Sequence, residues 1–141
     1  MIQRIQSLFL LLAAMCAGAT WLFPVQSFAL QGRSITYMTY GIHDDKGMTI
    51  ADAALPVPFH IIHTVVAVVL VICIFLYAKR LRQARVVRGL WLMALVVAVL
   101  QFISGNSLQA YMANTGEWQR SYGVSFFLPL GVVLFAFLAE R

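Results

Sequence analysis

The chain has 141 residues, of which 62% are hydrophobic and only 11% charged, far from the roughly 25% charged content of an average soluble domain. That composition belongs to a membrane protein, and in a bilayer the backbone must satisfy its own polar groups in helices or a closed barrel; the long apolar runs select helices. The net charge of +5 does not mark a nucleic-acid surface, because five of the ten basic residues sit in one decapeptide, KRLRQARVVR (79–88).

The first apolar run, IQSLFLLLAAMCAGATWLF (5–23), has the length of a span of about 20 helical residues, and Pro24 marks its stop. A cleaved signal peptide competes with this reading, because Arg4 supplies a positive start and SFA (27–29) a small-x-small site. Residues 31–58 then read as a loop of hairpin character. ITYMTYGI is β-branched and aromatic, HDDKG carries turn residues, and MTIADA resumes a strand pattern.

Pro56 and Pro58 precede the second run, FHIIHTVVAVVLVICIFLYA (59–78), which the basic decapeptide ends as a loop. The third run, 89–109, begins apolar and turns polar from Gln101. A short connection, AYMANTGEWQRS, leads to the fourth run, 122–139, with Pro129 at its centre. The expected architecture is therefore an all-α membrane protein. It is a single domain, 1–141, of four transmembrane helices with a small periplasmic β-hairpin-like loop between helices 1 and 2. Short basic loops stay on the cytoplasmic side. Arg4, Lys79, Arg80, Arg82, Arg85, Arg88 and Arg141 fall on one side of this scheme, which places both termini in the cytoplasm. Trp21, Tyr77, Trp91 and Tyr122 lie near span ends, where amphipathic rings favour the headgroup layer.

Three stretches carry a resemblance: MIQRIQSLFLLLAA (1–14), IFLYAKRLRQARVVRGLWL (74–92) and SYGVSFFLPLGVVLFAFLAER (121–141). Together they resemble domain of unknown function family 4293, small four-helix proteins of the bacterial inner membrane. The resemblance implies four spans and an uncleaved first helix, and it implies no activity. Two features depart from the family pattern. The chain shown stops at Glu140 and Arg141 where members continue into a charged tail, and the 79–88 segment is more basic than usual.

No zinc-type pair of Cys-x-x-Cys motifs, glycine-rich phosphate loop or Gly-x-Ser-x-Gly elbow is present. Cys16 and Cys73 lie within apolar runs, where thiols act as small hydrophobes. His60 and His63 stand three residues apart and so share a helix face near the outer shoulder of the bilayer. With His43 or Asp44 as a third ligand, the pair has suitable chemistry for zinc or copper. Gln101, Ser104 and Asn106 reach the same level on the third helix and form a candidate polar niche with the histidines and Thr64. The simpler reading is that the histidines anchor the interface while Gln101 and Asn106 bind neighbouring helices. Lys79, Arg80, Arg82, Arg85 and Arg88 set topology and also offer a surface for anionic lipids or an acidic partner.

Asp, Glu, Lys and Arg are missing from the span centres, which disfavours transport of ions or protons. The expected role is therefore a non-catalytic scaffold or accessory subunit of a membrane assembly, in contact with membrane lipids and with other integral membrane proteins or its own copies. No cofactor is expected. The alternative is a metal- or small-ligand-binding membrane protein using His60 and His63, and a small transporter ranks below both.

Overall fold

The computed structural model describes residues 2–46, 57–76, 80–114 and 116–140. Among these residues, four helices carry the apolar runs: α1 (Ile2–Ala19), α2 (Phe59–Phe75), α3 (Arg80–Ala113) and α4 (Val124–Glu140). Four strands lie between them: β1 (Gln26–Leu30), β2 (Arg33–Met38) and β3 (Gly41–Asp44) after α1, and β4 (Gln119–Tyr122) before α4.

Each helix buries one narrow stripe. On α2 it is Phe59, His63, Val66, Leu70 and Cys73, and on α4 it is Ser125, Pro129, Val132, Ala136 and Ala139. On α3 it runs through Val87, Leu90, Ala94, Val97 and Gln101 to Leu108 and Met112, the three-and-four spacing that keeps side chains on one face. Small residues set how near the helices come. Ala13, Ala14 and Ala17 of α1 are buried in the helical core with Val132 and Ala136 of α4, and a Cβ at Gly131 would lie 3.2 Å from Cys16 Sγ. The two cysteines remain free thiols.

The strands form one antiparallel sheet in the order β3-β2-β1-β4. Gln31 and Gly32 turn β1 into β2 with φ of 45° and 83°, the two positive values that a tight hairpin turn requires. Side chains alternate, so Gln26, Phe28, Ile35, Tyr37 and Ile42 are buried together. With Val25, the Phe28, Ile35, Tyr37 and Ile42 side chains pack on Leu108 and Met112 of α3, and Trp118 and Phe126 close the margin. The sheet thus caps the C-terminal end of α3. Gly123 lets β4 turn into α4 here: its N–H donates to the Val25 carbonyl at 2.9 Å, and a Cβ would meet the Pro24 carbonyl oxygen at 2.0 Å.

These observations correct the expected all-α, four-span architecture and the four-helix bundle. The strand-forming residues after α1 are not an isolated hairpin but three strands of a four-stranded sheet, completed by β4 from the connection before α4. Among the described residues, one helix, Leu81–Ala113, is long and apolar enough to cross a membrane. The apolar helices Ile5–Ala19, Phe59–Phe75 and Val124–Glu140 are shorter. The 17 residues of α2 or α4 rise only about 25 Å at 1.5 Å each, against a hydrocarbon layer of about 30 Å.

The basic segment is also not a loop. Arg80 onward is helical, because Arg, Leu, Gln and Ala are all good helix formers and nothing before Gly89 interrupts them. The turn between β2 and β3 falls at Thr39 and Tyr40, and His43 and Asp44 of HDDKG belong to β3. MTIADA, Tyr77 and Lys79 lie outside the described residues, and SFA lies within β1.

Candidate functional site

Polar side chains gather where the helices meet the sheet. Thr20, Gln26, Thr39, His63, Gln101 and Ser125 are all at most 2% exposed. The Thr20 carbonyl, at the end of α1, accepts from Thr39 Oγ1 at 3.2 Å and from Ser125 Oγ at 3.1 Å. One backbone oxygen thereby ties α1, the β2–β3 turn and α4 together. Gln26 and Tyr37 face each other across β1 and β2. The Gln26 amide lies against Gly105, where a Cβ would approach its Nε2 to 2.3 Å.

The two histidines of FHIIH have different partners. His63 is buried between α2 and α3, its Nε2 at 3.0 Å from Gln101 Nε2, so the neutral imidazole accepts from the amide through that nitrogen. His60 is half-buried and meets the Trp21 ring edge-on at a centroid distance of 5.6 Å. Trp21 Nε1 donates to Thr64 Oγ1 at 3.0 Å, and Thr64 donates to the His60 carbonyl at 2.7 Å. Trp21 stacks on Tyr40, which lies 5.2 Å from the His43 ring. His60 and His43 therefore border one aromatic cluster.

Asp44 is beside Asp45. The Asp45 side chain, and then its N–H at 2.9 Å, hold the Asp44 carboxyl below the usual carboxylate range, while Asp45 is held above it by the same pairing. Among the described residues no group of three or more His, Cys, Asp and Glu side chains is placed to hold a metal ion. The polar niche is likewise divided. Gln101 serves His63, Ser104 lies beside Tyr37, and Asn106 Oδ1 accepts from Arg120 Nη1 at 2.8 Å.

At the other end of α3, Arg88 Nε donates to Glu140 Oε1 at 2.6 Å and Trp91 Nε1 to Glu140 Oε2 at 2.8 Å. Arg88 therefore clamps α3 to α4. Arg82 and Arg85 are exposed, with Arg85 Nε reaching the Leu81 carbonyl at 3.3 Å. The Lys79 and Arg80 side chains lie outside the described residues. An open depression at the β1–β2 turn is bordered by Arg33, Glu117 and Gln119.

Trp21, Gln26, Tyr37, Tyr40, Arg120 and Glu140 were not legible as site residues. In the sequence they lie between the apolar runs or at their ends, where no helical periodicity signals a partner. The helices and site define a class: an apolar helical body, with one helix among the described residues long and apolar enough to cross a membrane, capped by a small sheet across a polar junction. The chain belongs to the family described as Domain of unknown function (DUF4293), whose model matches residues 2–141. Comparison with curated proteins and with solved structures returned no match.

Proposed function

We propose that the protein is a non-catalytic scaffold or accessory subunit of an assembly in a bacterial inner membrane. The observation that carries this reading is the character of its exterior. Leu8, Leu11 and Met15 of α1, Ile61, Val68 and Ile72 of α2, Leu92, Val96 and Phe102 of α3 and Leu130 and Leu134 of α4 are exposed. Apolar surface that extensive marks contact with lipid or with another protein. In this reading α3 crosses the hydrocarbon, and the shorter helices contact lipid to the depth their lengths reach. The sheet lies on the outer side and the cationic start of α3 in the cytoplasm, in keeping with the positive-inside rule. Arg82 and Arg85 face a partner of acidic character or anionic lipid.

The buried polar groups support a structural role. His63 with Gln101, and Thr20 with Thr39 and Ser125, each join separate elements, and the exposed Trp21 does so with Thr64 at the surface. The metal-binding alternative finds less support, because His60 and His63 have different partners. Purification from membranes in mild detergent, with quantitative mass analysis, tests the proposal. A stoichiometric partner is expected, reduced several-fold by Arg82→Glu with Arg85→Glu while membrane association is kept. A retained metal lost on His60→Ala and His63→Ala, with no partner, would overturn it.

A further inference from the structure

Arg120 faces the wrong way for a surface cation. It stands opposite Phe28 in the β1–β4 pairing, and directly opposed residues of an antiparallel pair share one face of the sheet. Phe28 is fully buried on the face that packs on α3, and Arg120 follows it. Its Nη1 donates to the side-chain oxygens of Asn106 and Gln109 on α3. Its guanidinium carbon sits 4.3 Å from the centre of the Tyr122 ring. Nε and Nη2, the side-on pair of donors, are out of contact with water and have no hydrogen-bond partner.

Both protein partners are neutral amides, so the charge has no counterion there. Withdrawing a cation from water is expensive unless an anion is supplied. Two parallel guanidinium N–H groups match the oxygens of a phosphate or carboxylate. The residue as a whole is only partly buried, so the guanidinium borders the surface.

The neighbouring surface selects among anions. Tyr122 packs on Phe126 at 4.7 Å, and Phe126 in turn on Phe102 at 6.3 Å and Phe127 at 5.2 Å. Tyr122, Phe102 and Phe127 are exposed, so an aromatic wall descends along α3 and α4 directly from the cation. A free phosphate gains nothing from that wall, whereas a lipid places its phosphate at the top and its chain along the rings.

We propose that Arg120 is the headgroup receptor of a lipid site, its Nε/Nη2 fork holding the phosphate of an anionic phospholipid and Tyr122, Phe102 and Phe127 receiving the acyl chain. The site rests on the membrane reading above and adds a specific ligand to it. The test is native mass spectrometry of the full chain in non-ionic detergent, titrated with phosphatidylglycerol, phosphatidylcholine or inorganic phosphate. A retained phosphatidylglycerol adduct is expected, weakened at least tenfold by Arg120→Gln. Arg120→Lys, which keeps the charge but not the fork, and the exposed Tyr122→Ala are each expected to weaken it several-fold. These two variants decide the matter if Arg120→Gln does not fold. Wild-type affinity in all of the folded variants, or displacement by millimolar inorganic phosphate, would overturn the site. Partitioning into phosphatidylglycerol vesicles separates the two proposals. Wild-type protein that stays out of vesicles refutes the membrane reading, whereas partitioning with adducts indifferent to Arg120 and Tyr122 refutes the lipid site alone.

Discussion

Single side chains at the junction of helices and sheet hold together elements far apart in the sequence. Tyr37 is one of them: its ring is fully buried, and burial pushes its phenol well above the ordinary value, only partly opposed by Ser104 beside it. The sign of the resulting pH dependence follows from proton counting. Above about pH 10 the unfolded chain releases the phenolic proton while the folded chain retains it, so stability falls as pH rises. The contribution is fully present below that pH. Unfolding followed from pH 8 to 11 should show a loss approaching about 1.4 kcal/mol per pH unit above pH 10, relative to Tyr37→Phe. Parallel curves for the two proteins would refute it.

At the scale of elements, the sheet depends on β1, which pairs with both β2 and β4. Its Phe28 stands at the centre of the second apolar core. Phe28→Ala should cost about 3–5 kcal/mol, the usual range for a buried ring, and should raise amide exchange in β2 and β4 before the helices respond. Exchange unchanged outside β1 would show that the strands are held independently. The sequence signalled β2 through ITYM, but not β1 or β4. QSFAL carries a polar residue at its buried first position, and QRSY is four residues of mostly polar edge strand. Neither reads as a strand until the other lies beside it.

The whole molecule is polarised along α3. The exposed Arg82 and Arg85 lie at its start, and the sheet packs near Leu108 and Met112; from Arg88 to Leu108 the helix rises about 30 Å, close to the thickness of a hydrocarbon layer. Trypsin added outside sealed vesicles containing protein of one orientation should therefore cut at Arg33 and Lys46, or at Arg82 and Arg85, but not at both sets. Cleavage of both sets in intact vesicles would mean that α3 does not cross.

Composition and the long apolar runs determined that the chain is apolar and carries helices, and three stretches, 1–14, 74–92 and 121–141, carried the family, since both properties are written in local runs. Span length was misjudged because hydropathy does not mark where a helix stops: α3 absorbs residues 80–88 of the basic decapeptide, while α2 stops at Phe75. The partners of His60, His63, Gln101 and Arg120 were settled only by the tertiary structure. Helical spacing places residues on a common face, but each ring or guanidinium pairs with whatever the packing of other elements brings within about 3 Å. For that reason FHIIH yields two separate contacts, and the unpartnered guanidinium donors lie instead at Arg120, in a connection that the sequence showed as a plain loop.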